Sequence, residues 1–222
     1  MPVTKARIAD VLANRYASVE MANLWSAEHK VVLERQLWVA VLKAQAELGI
    51  EVPADAIAAY ERVIDTVDLA SIAAREAATR HDVKARIDEF CALAGHEQIH
   101  KGMTSRDLTE NVEQLQILTS LTLIRSRAVA ALARLASLAA QYDETALTGR
   151  SHNVPAQVTT LGKRFASAAD ELLIAFDRLE DLIARYPLRG IKGPVGTAQD
   201  MLDLFNGDAE DRKSTRLNSS HT

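Results

Sequence analysis

The chain has 222 residues, enough for one large domain or two small ones. Its 26 Lys and Arg against 30 Asp and Glu leave a formal charge of -4, which argues against the basic face of a nucleic-acid binder. The single cysteine, Cys91, excludes an internal disulfide framework and an all-cysteine metal site.

Glycine and proline are scarce and cluster at a few boundaries, while Ala, Leu, Glu and Arg fill the remainder, as in helices. No charged n-region followed by an apolar stretch opens the sequence, and the apolar run Ala128 to Ala140 is short and interrupted by Arg134, so a cytoplasmic, non-membrane protein is expected. Leu33 to Leu48 places Leu33, Leu37, Ala40, Val41, Ala44 and Leu48 at helical spacing, with Gly49 as the stop. Pro53-Ala54-Asp55 opens a short helix, and Asp68 to Ala78 and Arg80 to Leu93 predict two more, the latter closing at Gly95.

After a polar loop, Thr104 and Asp107 form a capping-box-like start to a helix running from Leu108 to about Tyr142. Some 35 residues at about 1.5 Å each give roughly 50 Å, a length typical of large bundles. The loop Thr148 to Pro155 leads to a second long helix, Ala156 to Ala184, and the Gly/Pro-rich stretch Tyr186 to Thr197 predicts a structured loop or strand pair. The expected fold is all-α: a helical domain over 1–110, the first long helices of a bundle over 111–211, and a polar, non-periodic tail over 212–222 that resembles vector read-through and is expected to be disordered.

Four polar clusters interrupt the helical pattern. Arg15-Tyr16 can grip a phosphate through the guanidinium fork and the phenol, or be an interface Arg beside a half-buried Tyr. Arg80-His81-Asp82 can meet different parts of an anionic ligand, or simply start a helix. His100-Lys101-Gly102-Met103-Thr104-Ser105 pairs a glycine allowing close backbone approach with a helix start offering N–H groups to a carboxylate or phosphate; capping alone would also select it. Gly149-Arg150-Ser151-His152-Asn153 puts a histidine at the connection of the long helices, suited to acid–base work or to a structural role. Lys192 can meet a carboxylate or stay solvated. No histidine has zinc-like spacing with a second soft ligand, and no Gly-rich turn marks a nucleotide-cofactor loop; neither metal nor cofactor is expected.

In this order, across roughly residues 12 to 210, the clusters resemble the fumarase/aspartase superfamily. The pieces are Arg15-Tyr16-Ala17-Ser18, Thr79-Arg80-His81-Asp82-Val83, Gly102-Met103-Thr104-Ser105, Ser151-His152-Asn153-Val154-Pro155-Ala156-Gln157 with Thr159 to Arg164, and Arg189-Gly190-Ile191-Lys192-Gly193-Pro194-Val195-Gly196-Thr197. The resemblance is to the branch acting on adenylosuccinate and on the purine precursor SAICAR, and it implies C–N cleavage by β-elimination with release of fumarate, in a homotetramer. It implies that Arg15 and Tyr16 contact phosphate, that Arg80, His81 and Asp82 line the substrate pocket, that Thr104 and Ser105 hold the succinyl carboxylate, and that His152 is the general acid. His100 and Lys192 are carried over as further pocket residues. Ser151 and Asn153 depart from the residues usual beside the histidine.

In such enzymes the base is a serine on a loop of the type Ser-Ser-x-Met-Pro-x-Lys-x-Asn, which these 222 residues lack. The expectation is an N-terminal fragment that is inactive alone. A related argininosuccinate lyase-like enzyme and a non-catalytic helical interaction protein are the alternatives. The first needs no phosphate grip, and the second predicts that the clusters scatter over the surface.

Overall fold

A computed structural model describes residues 10–205, and the tail expected over 212–222 lies outside them. Nine helices and one two-stranded hairpin follow in chain order among these residues. They divide into two compact units, the first formed by the chain up to Gln116 together with the chain from Leu188 onward, the second by Ile117–Pro187. The boundary expected near residue 110 thus falls within a helix, and the last described residues belong to the first unit.

In the first unit, α1 (Val11–Tyr16), α2 (Val19–Leu24) and α3 (Ala27–Glu47) each begin behind a polar cap. The side chains of Asp10, Ser18 and Ser26 accept the N–H of Ala13, Met21 and His29 respectively. Ser26 explains why α3 begins six residues before the apolar run that predicts it. Next come α4 (Ala56–Arg62), α5 (Leu69–Thr79), capped by Asp68, and α6 (Asp82–Ala94). The helix expected from Arg80 starts two residues later because Arg80 is left-handed (φ 54°) and ends α5, leaving His81 to cap α6.

The core of this unit gathers Trp38, Leu42, Tyr60, Phe90, Leu108, Ile191 and Met201. Phe90 lies between Trp38 (ring centroids 6.2 Å apart) and Tyr60 (4.9 Å). Arg35 is fully buried here. It donates to the carbonyls of Val63, Ile64 and Thr66 at 2.8–3.0 Å and pairs with Glu89 at 2.5 Å, so one guanidinium closes the α4–α5 turn and ties α6 to α3. The 37-residue α7 (Ser105–Gln141) begins in this unit, and α9 (Gln199–Leu204) seals it with Met201.

The second unit holds the rest of α7, a hairpin of β1 (Ala146–Ser151) and β2 (Val154–Thr160), and α8 (Leu161–Ala184). The strands pair antiparallel from Ala146↔Thr160 to Ser151↔Val154, with an irregularity after Gly149. The loop expected over Thr148 to Pro155 and the helix expected from Ala156 are corrected by this hairpin. Val154, Val158, Thr159 and Thr160 favour strand, and helix begins only where Thr160 caps the N–H of Lys163. Tyr186 to Thr197 contains no strand and takes the loop alternative.

Gly162 lets α8 meet the end of α7. A Cβ there would stand 2.6 Å from Asp143 Cα and closer still to the Ala139 carbonyl. Along the same helices Ile124, Val129, Leu173, Ile174 and Leu182 are exposed. By length and composition alone α7 could cross a membrane, and 6% of its apolar window is buried inside this chain.

Candidate active site

The first cluster to take shape lies where α5 gives way to α6. The left-handed Arg80 reverses the chain, and His81 Nδ1 accepts the Lys84 N–H at 3.2 Å. With Nδ1 an acceptor, Nε2 is the donor nitrogen of the ring. His81 precedes the helix rather than occupying it, so Asp82 Oδ1 can lie 3.7 Å from Nδ1. Burial opposes ionisation of Asp82, but a 2.8 Å bond from Arg86, the Val83 N–H and nearby positive charge prevail and hold its pKa below the usual carboxylate value. His81 and Asp82 are both about half exposed, as a ligand would require.

His100 sits in the loop before α7 with φ 69°, and Trp38 donates its indole N–H to Nδ1 at 3.0 Å. Burial drives its pKa down to about 4, reinforced by His81 and opposed by Asp107, so the ring is neutral at pH 7 and carries its proton on Nε2. It is a hydrogen-bond donor, and not a cation, that this position offers. Gly102 follows in the left-handed region with Met201 packed beneath it, 3.1 Å from where a Cβ would stand.

Asp107 organises what comes next. Fully buried, it accepts the N–H of Thr104 (3.1 Å), Lys192 (2.9 Å) and Gly193 (2.9 Å), and Arg189 Nε approaches at 3.3 Å. The loop is fastened further along α7. Arg189 reaches Glu110 (2.7 Å), Asn111 exchanges hydrogen bonds with both backbone groups of Gly190, and Gln114 accepts the Arg189 N–H. Positions 107, 110, 111 and 114 form one face of the helix, so the loop lies along its first turns.

Asp107 takes the Thr104 N–H, as the capping-box reading expects, so the Thr104 hydroxyl is the group left to meet a ligand. Thr104 and Ser105 remain part-exposed at the helix start, and the Lys192 side chain is exposed above a fixed backbone. Sequence reading treated Asp107 only as a cap.

His100, Thr104, Ser105 and Lys192 thus lie around the α7 start of the first unit, and His81, at the α6 start, is near enough to His100 to act on its charge. Arg15 and Tyr16 end α1, the guanidinium 6.0 Å over the neighbouring ring and Tyr16 73% exposed. Among the described residues no hydrogen bond or ion pair joins them to the others. His152 belongs to the second unit. With Asn153 it forms the two-residue tip of the β1–β2 hairpin, at φ 49° and 65°. Two successive positive φ values define a type I′ turn, which Asn accommodates well, and the exposed imidazole projects from it.

Behind the tip a cavity of about 530 Å³ is lined by Arg150, Ser151, Lys163 and Arg164. A separate cavity of about 650 Å³, between Arg75, Lys84, Asp88 and His96, contains none of the predicted residues. Among the described residues no group of three potential metal ligands converges.

A family model described as "Lyase" matches residues 9–205. The chain belongs to this lyase family, within the fumarase/aspartase superfamily. It is 36% identical over 201 residues to the adenylosuccinate lyase of Schistosoma mansoni, covering 89% of this chain and 42% of that protein. It is also 36% identical over 217 residues to the adenylosuccinate lyase of Saccharomyces cerevisiae, covering 93% of this chain and 45% of the relative. A fumarate lyase from Mesorhizobium sp. BNC1 superposes with a TM-score of 0.73 at 26% identity, over 89% of this chain and 48% of that one. The chain thus spans under half the length of the curated relatives it matches.

Proposed function

We propose that this chain is the N-terminal part of an adenylosuccinate lyase, a cytoplasmic homotetramer that eliminates fumarate from adenylosuccinate and from SAICAR. The similarity to two adenylosuccinate lyases over about nine-tenths of the chain carries the reading. The clustering of His81, His100 and the α7 start supports it, since a surface-scattered arrangement was the mark of a mere interaction protein.

In the proposed reaction a base removes the proton from the carbon beside a succinyl carboxylate. The electrons form the fumarate double bond as the C–N bond breaks, and an acid protonates the departing nitrogen. His152, displayed on its hairpin, is assigned the acid; the base belongs to chain beyond these residues. Neutral His100 and, through the nitrogen left free by the Lys84 bond, His81 offer Nε2–H donors to carboxylate oxygens, where negative charge grows during proton removal. Thr104 and Ser105 add hydroxyl donors, and Lys192 adds a mobile cation. Arg80 and Asp82 complete the pocket wall, and Arg15 with Tyr16 take the phosphate.

The test is a chimera in which residues 10–205 replace the matching part of the Saccharomyces cerevisiae relative. It should release fumarate from adenylosuccinate and leave argininosuccinate untouched. Preference for argininosuccinate would sink the substrate assignment, and a folded tetramer with neither activity would sink the reaction.

A further inference from the structure

One buried acid in the first unit has no part in the scheme above. Glu34, on α3, is fully buried, yet among the described residues no group hydrogen-bonds either of its oxygens. Arg86 Nε stands 2.6 Å from Oε2 but out of line for a hydrogen bond, so the contact is an ion pair. The other end of the same guanidinium holds Asp82 at 2.8 Å. A continuous line therefore runs from the interior of α3, through a guanidinium only 13% exposed, to the first residue of α6.

A buried carboxylate without hydrogen bonds is costly. Its closest partner is Arg86. A free arginine at that site would sweep several rotamers, whereas one held at Nε presents its remaining nitrogens to Asp82 in a single direction. Asp82 in turn faces His81 Nδ1 at 3.7 Å.

We propose that Glu34 is a positioning residue that acts through Arg86 to aim Asp82 and the adjoining His81. This rests on the reading of Arg80 to Asp82 as a wall of the substrate pocket. The groups facing Glu34 are Lys30 on its own helix, Arg86 and Asp82 from α6, and Glu113 from α7, itself 3.6 Å from Lys30. Burial outweighs the two cations and pushes Glu34 up to about 7, so the grip on Arg86 tightens as pH rises through neutrality.

The test is NMR on the 222-residue chain without ligand, following the Arg86 Nε–H and the Asp82 carboxyl carbon from pH 5.5 to 8.5 (a range of about 3 units around neutrality). Both signals should share a step near pH 7 that survives in His81→Gln and vanishes in Glu34→Gln. Flat signals in the wild type, or a step that persists in Glu34→Gln and is lost in His81→Gln, would overturn the proposal. In the chimera, KM for adenylosuccinate should fall about threefold from pH 6 to pH 8 with kcat little changed, and Glu34→Gln should flatten that profile. An inactive chimera would refute the lyase reading while leaving the ligand-free NMR to decide the role of Glu34; an active one whose KM profile is identical in Glu34→Gln would refute the positioning role.

Discussion

Asp107 and Lys192 are 85 positions apart, yet the buried carboxylate of the first accepts the backbone N–H of the second at 2.9 Å. The same carboxylate caps α7 and receives the Gly193 N–H, so one side chain joins the helix start to the loop that carries Lys192. Replacing Asp107 by Asn sets an NH2 group against donors and removes the negative charge facing Arg189. Asp107→Asn should destabilise the chain by about 3 kcal/mol. Urea denaturation measures this, and hydrogen exchange at Lys192 and Gly193 should quicken by more than the global change. Unchanged protection at both amides would contradict the assignment.

Glu34 gives a pH-dependent prediction of unusual sign. Its folded pKa of about 7 lies above the ordinary 4.5, so the folded state takes up the proton more readily than the unfolded one. The cost of its charge is full above pH 7, shrinks as pH falls, and is gone below about 4.5. Glu34→Gln, which mimics the protonated form, should raise stability by about 1–3 kcal/mol at pH 8 and change it little at pH 4.5. Thermal melts at the two pH values check this.

His100 works in the opposite direction. Its pKa is depressed from 6.5 to about 4, so only the unfolded chain gains a proton as pH drops through that window. The stabilisation is full above pH 6.5 and is lost as pH approaches 4, at a cost of about 2 kcal/mol. His100→Gln should flatten this limb of the pH–stability curve, because Gln also accepts from the Trp38 indole without titrating. A limb of unchanged depth in the variant would show that another group is responsible.

Gly162 has no room for a methyl group, since a Cβ would fall 2.6 Å from Asp143 Cα. Gly162→Ala should cost about 2–3 kcal/mol, the penalty of overpacking against backbone that cannot swing aside. Denaturation followed by the signals of Tyr142 and Phe165, whose rings lie 6.1 Å apart, locates the damage in the second unit.

His152→Ala in the chimera should lower kcat on adenylosuccinate by about 10²-fold or more, the usual scale of a general acid. Leaving-group substitution offers a control: an analogue whose nitrogen departs without protonation should lose far less. Equal losses for both substrates would assign His152 to another task.

The long helices were legible because their apolar periodicity is sustained over many turns, and the α7 start because its cap is local chemistry, whereas the α6 start was set two residues early because nothing in the sequence marks Arg80 as left-handed. The hairpin was misread as a loop and part of a helix, for a physical reason. Its strands are short and exposed on both faces, so Val154, Pro155 and Val158 show none of the alternation that a half-buried sheet imposes. Clustering of His81 and His100 followed from the motifs, but the acceptor tying in residues 189–193 did not, since nothing local distinguishes a capping Asp from one that also receives two distant amides. Glu34 was equally silent. A Glu on a helix normally reads as solvated, and its burial arises from the helices packed around it.

Ile191, Met201 and Phe205 sit in the same core as Trp38 and Phe90, and Met201 fills the space left by Gly102. During vectorial synthesis, therefore, the helices of the first unit that precede Ile117 would wait with an open apolar seam until the intervening 71 residues of Ile117–Pro187 had followed. Closure of the first unit is a late, long-range event, and the order of emergence is not the order of completion. A nascent chain arrested just after Pro187 should be more readily bound by chaperones than one arrested beyond Phe205, although the two differ by only one loop and one short helix.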